Sequence, residues 1–221
     1  MIFFVRRVKI KICCIASIEE AKMAISYGAN ILGLVGNMPS GPGIINDALI
    51  AKIANYAPAL IDTFLLSSFT KAEDIITHHK KVNTTTIQLI DAIAINDYAI
   101  IKKELPKVKL VQVIHVIDKC ALQQAIEISP LVDVILLDSG NPNLTVKKLG
   151  DTGQIHNWQL SKQIVAAVTK PVYLAGGLTA KNVQAAITIV QHLWCGLMSG
   201  VRTNSKLDEE KLKAFVKAVT I

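Results

Sequence analysis

Two reactive side-chain types stand where apolar runs end. Cys13 closes the run from Val8 to Cys13, and Asp138 closes the run from Val132 to Asp138. A thiol and a carboxyl that face one another across a pocket can act as base and acid in proton transfer. Each also has a plainer reading. A strand cysteine is commonly a small buried hydrophobe, and that reading applies with more force to Cys14, Cys120 and Cys195. An aspartate at a strand end often only caps a loop. Asp138 emerges directly from Val134-Ile135-Leu136-Leu137, whereas Asp91 lacks so apolar an approach, so Asp138 is the stronger candidate.

A third feature lies at Gly176 and Gly177, between a short strand-like run (Val172 to Leu174) and a helix-like run expected over Lys181 to Val190, with Thr179 as its N-cap. Paired glycines between strand and helix let the backbone approach a ligand, and the N–H groups there favour an anion such as phosphate. Ser199 and Gly200 follow the next apolar run in the same manner. The alternative is a glycine turn that binds nothing.

These residues need elements to hold them. Strand-like runs are expected at Val8–Cys13, Ile31–Val35, Ile61–Ser67, Thr86–Ile90, Lys109–Val116, Val132–Asp138, Val172–Leu174 and Trp194–Ser199, the last weakened by Gly196. Helical runs separate them: Ser17 caps one ending at Gly28, another covers Asn46–Tyr56, Thr70 starts one to about His79, and others cover Asn96–Leu105 and Asp118–Ile128. One more runs from Asn157 to Val168, and Asp208 caps a last helix to Val219. Strands apolar on both faces imply a parallel sheet covered by helices. Eight strand–helix units in 221 residues predict an α/β fold, a single (β/α)8 TIM barrel spanning residues 1–221, rather than an open doubly wound sheet. Barrel sites form at the C-terminal strand ends, where Cys13, Asp138, Gly176, Gly177, Ser199 and Gly200 fall. The connection from Ser139 to His156 is long enough to predict a functional loop.

Composition narrows the function classes. Apolar residues make up 51% of the chain, enough for a full core, yet no apolar run reaches the ~18 residues of a membrane span. The net charge of +7 is dispersed over lysines, with arginine only at Arg6, Arg7 and Arg202, which argues against a nucleic-acid surface. Four cysteines with no Cys-x-x-Cys pair indicate neither a zinc knuckle nor a thioredoxin motif and suit a reducing cytoplasm.

The ordered motifs resemble those of the phosphoribosylanthranilate isomerase family over nearly the whole chain. They are Lys11-Ile12-Cys13-Cys14-Ile15, Gly28-Ala29-Asn30, Leu32-Gly33-Leu34-Val35, Ile135-Leu136-Leu137-Asp138, Gly150-Asp151-Thr152-Gly153 with His156-Asn157-Trp158, Leu174-Ala175-Gly176-Gly177-Leu178 with Asn182-Val183, and Met198-Ser199-Gly200-Val201-Arg202. The resemblance implies an Amadori rearrangement of N-(5-phosphoribosyl)anthranilate in tryptophan biosynthesis, without metal or organic cofactor. It implies Cys13 as general base and Asp138 as general acid. It places phosphate on main-chain N–H groups near Gly176, Gly177, Ser199 and Gly200, with Gly153 closing over it. The partner is then a small phosphorylated sugar-amine, and the barrel a monomer or homodimer.

Four departures from the family pattern stand out. Gly43 replaces the arginine that faces the anthranilate end, Ile90 the histidine after the fourth strand, Gly196 an aspartate of the eighth, and Arg202 a glutamate. Arg202 is a candidate to pair with an anionic substrate group; otherwise it is a surface arginine beside Asp208 or water. The departures keep two other readings open: a barrel acting on another phosphoribosyl amine, and a non-catalytic barrel that binds a phosphometabolite.

Overall fold

The computed structural model describes residues 8–38, 41–140, 155–191, 194–197 and 199–219. Eight parallel strands pair in chain order and close on themselves: β1 (Lys9–Ile12), β2 (Ile31–Val35), β3 (Asp62–Ser67), β4 (Thr86–Leu89), β5 (Lys109–His115), β6 (Val134–Asp138), β7 (Val172–Leu174) and β8 (Trp194–Leu197). Closure is made by β1 against β8, in the register Lys11↔Gly196 and Ile12↔Leu197. Helices α1 (Ile18–Ser26), α2 (Asp47–Tyr56), α3 (Ala72–Val82), α4 (Ile95–Glu104), α5 (Cys120–Ile128), α6 (Trp158–Ala167), α7 (Val183–Val190) and α8 (Glu209–Val219) follow the strands in turn. Between β8 and α8 the chain adds a small antiparallel pair, β9 (Arg202–Thr203) and β10 (Lys206–Leu207), which the sequence reading did not foresee.

Side chains alternate across each strand. One set, including Ile10, Ile12, Leu110, Ile114, Ile135 and Leu137, packs outward beneath the helices. The other, including Val35, Ile90, Val111, Val113, Val134, Leu136 and Tyr173, fills the barrel interior. The single (β/α)8 barrel expected from the alternating runs is the fold observed.

Several helix ends differ from the sequence reading. Helix α3 begins at Ala72, not Thr70: Asp97 of α4 accepts the Ala72 N–H at 3.2 Å, a cap supplied from another helix. It continues through His79 to Val82 and stops at Asn83, whose left-handed conformation ends it. Helix α7 begins at Val183, and Thr179 does not cap it. The Thr179 N–H instead donates to Asn182 Oδ1 at 2.8 Å, and Asn182 Nδ2 donates to the Gly177 carbonyl at 2.9 Å. Asn182 thus pins the glycine turn rather than capping the helix. Helix α1 follows expectation, with Ser17 Oγ accepting the Glu20 N–H at 3.1 Å. Asp208 likewise accepts the Lys211 N–H at 3.0 Å at the start of α8.

Candidate active site

Cys13, His115 and Asp138 bring polar side chains to the inner face at the C-terminal end of the barrel. On β1 the outward positions are Ile10 and Ile12, so Lys11 and Cys13 share the inner face. On β5 and β6 the inward residues Val111, Val113, Val134 and Leu136 carry the same face up to His115 and Asp138, which are register partners. Cys13, His115 and Asp138 therefore stand on one rim, as expected for the first and last of them.

The residue that strand-end reading missed is Lys11. It is 1% exposed, yet its Nζ lies 2.6 Å from Cys13 Sγ and 5.6 Å from the centre of the Phe64 ring. Across the β1–β8 seam it faces Gly196, the position where the family pattern has an aspartate. An ammonium placed here offers a charge-assisted hydrogen bond to the sulfur. Space for the thiol comes from Gly33, where a Cβ would stand 3.1 Å from Cys13 Sγ. The signal was present in the sequence: a lysine two residues before Cys13 on a strand must share its face.

Asp138 is partly buried at the end of β6. Burial pushes its carboxyl above the usual carboxylate range, opposed by the Ser139 N–H at 2.7 Å and by the charges of His115 and Lys11. A carboxyl raised by burial is a better proton donor than an exposed one. His115 is fixed by the Ile90 carbonyl, 3.1 Å from its Nε2. A histidine at the end of β5 thus contacts the main chain of the position where the family's own histidine is missing. Asp91 fits the plainer reading, with Oδ1 accepting the Ala92 N–H at 2.9 Å.

The two glycine turns meet. Gly176 and Gly177 are both left-handed, at φ +81° and +61°, which only glycine adopts without cost. A Cβ at Gly176 would fall 2.7 Å from Ser139 Oγ, and one at Gly200 would collide with the Leu178 carbonyl. Ser199 and Gly200 form a short 3-10 turn beside this loop. Gly153 and most of the loop from Ser139 to His156 lie outside the described residues.

Arg202 is buried and not a surface arginine. It is 9% exposed, and both Nη atoms are already engaged. Nη1 donates to Glu20 Oε1 at 3.0 Å and to the Ser205 carbonyl at 2.9 Å. Nη2 donates to Glu20 Oε2 at 2.9 Å, to the Cys13 carbonyl at 3.2 Å and to the Cys14 carbonyl. Its ion-pair partner is Glu20 and not Asp208, which takes the Thr203 hydroxyl instead. Burial acts to raise the Glu20 carboxyl, but Arg202 and the Leu207 and Ala16 amides outweigh it and hold it low. The guanidinium is a buried clamp under the Cys13–Cys14 turn, and that turn needs one, because Cys14 is left-handed at φ 61°. For a residue with a Cβ this conformation costs about 1–2 kcal/mol.

The remaining cysteines divide. Cys195 is buried and its thiol is pushed up to about 12 by burial, as expected of an inert core residue. Cys120 is exposed, which corrects its reading as a buried hydrophobe; it heads α5, and Asp118 raises its thiol. Among the described residues no group of three His, Cys, Asp or Glu is placed to hold a metal ion, and no helix is long and apolar enough to cross a membrane.

A closed parallel barrel with Cys13, Lys11, His115 and Asp138 on its inner face has the (β/α)8 architecture. Comparison with known proteins gives the family. Residues 10–218 match the family model for N-(5'-phosphoribosyl)anthranilate isomerase, and the chain belongs to that family of aldose–ketose isomerases. It is 33% identical over 210 residues, covering 94% of this chain and 92% of the relative, to N-(5'-phosphoribosyl)anthranilate isomerase 2 of Methanosarcina mazei. Among solved structures it resembles phosphoribosylanthranilate isomerase of Thermotoga maritima, with TM-score 0.82, 23% identity, and 96% and 98% of the two chains covered. It also resembles such an isomerase in complex with reduced 1-(o-carboxyphenylamino)-1-deoxyribulose 5-phosphate, with TM-score 0.80, 22% identity and the same coverage.

Proposed function

We propose that this barrel rearranges N-(5'-phosphoribosyl)anthranilate to the 1-deoxyribulose 5-phosphate, a step of tryptophan biosynthesis, with Cys13 as general base and Asp138 as general acid. The observation that carries this reading is the inner-rim placement of Cys13, in contact with Lys11, together with the desolvated Asp138. In the first step Asp138 gives its proton to the ring oxygen as the nitrogen lone pair opens the furanose to an iminium. In the second, Cys13 takes the proton from the sugar C2, and the electron pair of that C–H bond passes to the iminium carbon–nitrogen unit, leaving an enolamine. Tautomerisation turns the C2 hydroxyl into the ketone. Lys11 acts by holding the sulfur, and His115 stands beside the acid. The phosphate is placed against the N–H groups around Gly176, Gly177, Ser199 and Gly200, consistent with the phosphorylated compound bound by the similar barrel.

The test is turnover of N-(5'-phosphoribosyl)anthranilate by the wild type, Cys13→Ala and Asp138→Asn. Each substitution is expected to lower turnover by about 10²-fold or more while the circular dichroism stays native. A wild type that binds inorganic phosphate but forms no deoxyribulose product would favour the non-catalytic barrel. Full activity in either variant would remove that residue from its role.

A further inference from the structure

The wall of the mouth beside Cys13 is made by an unusual pair. Cys14 has a left-handed backbone, at φ 61°, and is 6% exposed within the cluster that lines the barrel interior. Its Sγ points to the Pro42 carbonyl, 3.6 Å away on the loop after β2. Gly43 on that loop is also left-handed, at φ +79°. A Cβ on Gly43 would lie 2.5 Å from Cys14 Cβ, 2.9 Å from Cys14 Sγ and 3.1 Å from Cys14 Cα. Real Cβ atoms do not approach so closely, and two of the three atoms belong to the strand end that holds the base and cannot yield as a flexible tip would. The loop itself is fixed from the other side, by the Ile45 N–H to the Val35 carbonyl at 3.0 Å and the Val35↔Ile44 bridge. The Cys14 side chain therefore occupies the volume into which any side chain at position 43 would first project.

We propose that Cys14 and Gly43 form a coupled pair that determines specificity, giving the mouth beside the base a compact wall that itself carries no formal charge. This rests on the isomerase reading above and specifies which amines that site accepts. A wall of thiol and glycine offers no guanidinium or ammonium to a carboxylate on the substrate's N-aryl group. The enzyme then discriminates weakly between N-phosphoribosyl aryl amines that carry an ortho carboxylate and those that lack it. Placing a cation at position 43 requires first removing the Cys14 side chain. The two positions are free to change only together, since a bulky group at either one excludes a bulky group at the other.

The test is a double-mutant cycle on the full chain with Gly43→Arg, Cys14→Gly and the two combined. Melting temperature and kcat/KM are read for N-(5'-phosphoribosyl)anthranilate and N-(5'-phosphoribosyl)aniline. Gly43→Arg alone is expected to lower the melting temperature. Cys14→Gly/Gly43→Arg is expected to recover part of it and to raise the preference for the carboxylated substrate by about tenfold, or roughly 1.4 kcal/mol. Gly43→Ala, with and without Cys14→Gly, gives the same cycle on melting temperature alone should the arginine variant not fold. Alanine is strained at this φ in both backgrounds, so only the difference between them counts. Additive effects on melting temperature would overturn the coupling. A coupled pair that leaves the preference between the two substrates unchanged would overturn the specificity role. Wild type inactive on both substrates would defeat the isomerase reading instead, while the melting cycle would still decide whether the pair is coupled.

Discussion

Replacing Arg202 by methionine removes a guanidinium that is 9% exposed and leaves Glu20, itself largely covered, without its cation. Breaking one side of a buried pair typically costs about 3–5 kcal/mol, because the partner is left charged and unmatched. The Cys13, Cys14 and Ser205 carbonyls lose their donor in the same change. Methionine has similar bulk and fills most of the space, so little of the loss comes from a cavity. For a domain of this size, 1 kcal/mol corresponds to roughly 2–4 °C, and the expected fall in melting temperature is about 10 °C. Arg202→Met/Glu20→Gln leaves no lone charge and is expected to recover part of the loss. The assay is thermal melting at neutral pH beside steady-state kinetics at a temperature where both variants are folded. A substrate-binding arginine would instead raise KM and leave the melt unchanged. A fall of less than about 2 °C, or a double variant no more stable than the single one, would refute the buried clamp.

Lys11→Met removes the charge-assisted hydrogen bond to Cys13 Sγ, a loss of about 1.5–3 kcal/mol, so turnover should fall roughly ten- to a hundredfold. Iodoacetamide should also modify Cys13 more slowly, measured with Cys120→Ser because Cys120 is exposed; turnover within twofold of wild type would dismiss Lys11 as a positioning residue. His156 is buried against Ser161 at 2.8 Å, and burial lowers its pKa to about 4. Its folded value lies below the unfolded value of about 6.5, so the stability it contributes is complete above pH 6.5 and is lost as pH falls toward 4. That interval corresponds to about 3 kcal/mol, and His156→Gln should flatten the melting temperature between these pH values; an unchanged acid slope would show that other groups govern it.

The barrel was legible because its signal is repeated: each apolar run fixes one strand, and alternation then fixes which side chains look inward. The rim positions of Cys13 and Asp138 were legible because both stand where a strand ends. Lys11 escaped because a lysine within a strand reads as an edge or a solvated residue until barrel closure buries it. His115 escaped for a related reason: its neighbour Val116 extends the apolar run and hides the strand end. The partner of Arg202 was not legible because Glu20 lies 182 residues away, a distance over which no local pattern carries information. The Thr179 cap failed since Asn182, one helical turn on, holds the better geometry for both the Thr179 amide and the Gly177 carbonyl. The closeness of Cys14 and Gly43 is likewise a fact of packing that neither segment shows alone.

The seam between β1 and β8 sets an order of events in the life of the chain. The Cys13 N–H is bonded to the Leu197 carbonyl at 2.7 Å, so Cys13 follows the first strand of the barrel and depends on the eighth for its support. A nascent chain emerging from the ribosome carries β1 with one edge unpaired until β8 follows. Residues 202–207 must come later still to supply the guanidinium under the Cys13–Cys14 turn. Truncation just before this segment removes the support under the Cys13–Cys14 turn while leaving all eight barrel strands in the chain. Contacts between such distant segments also raise contact order and slow folding. A circular permutant that joins the present ends and opens the chain between α4 and β5 would make the seam local, and the thiol would then be among the first groups positioned rather than the last.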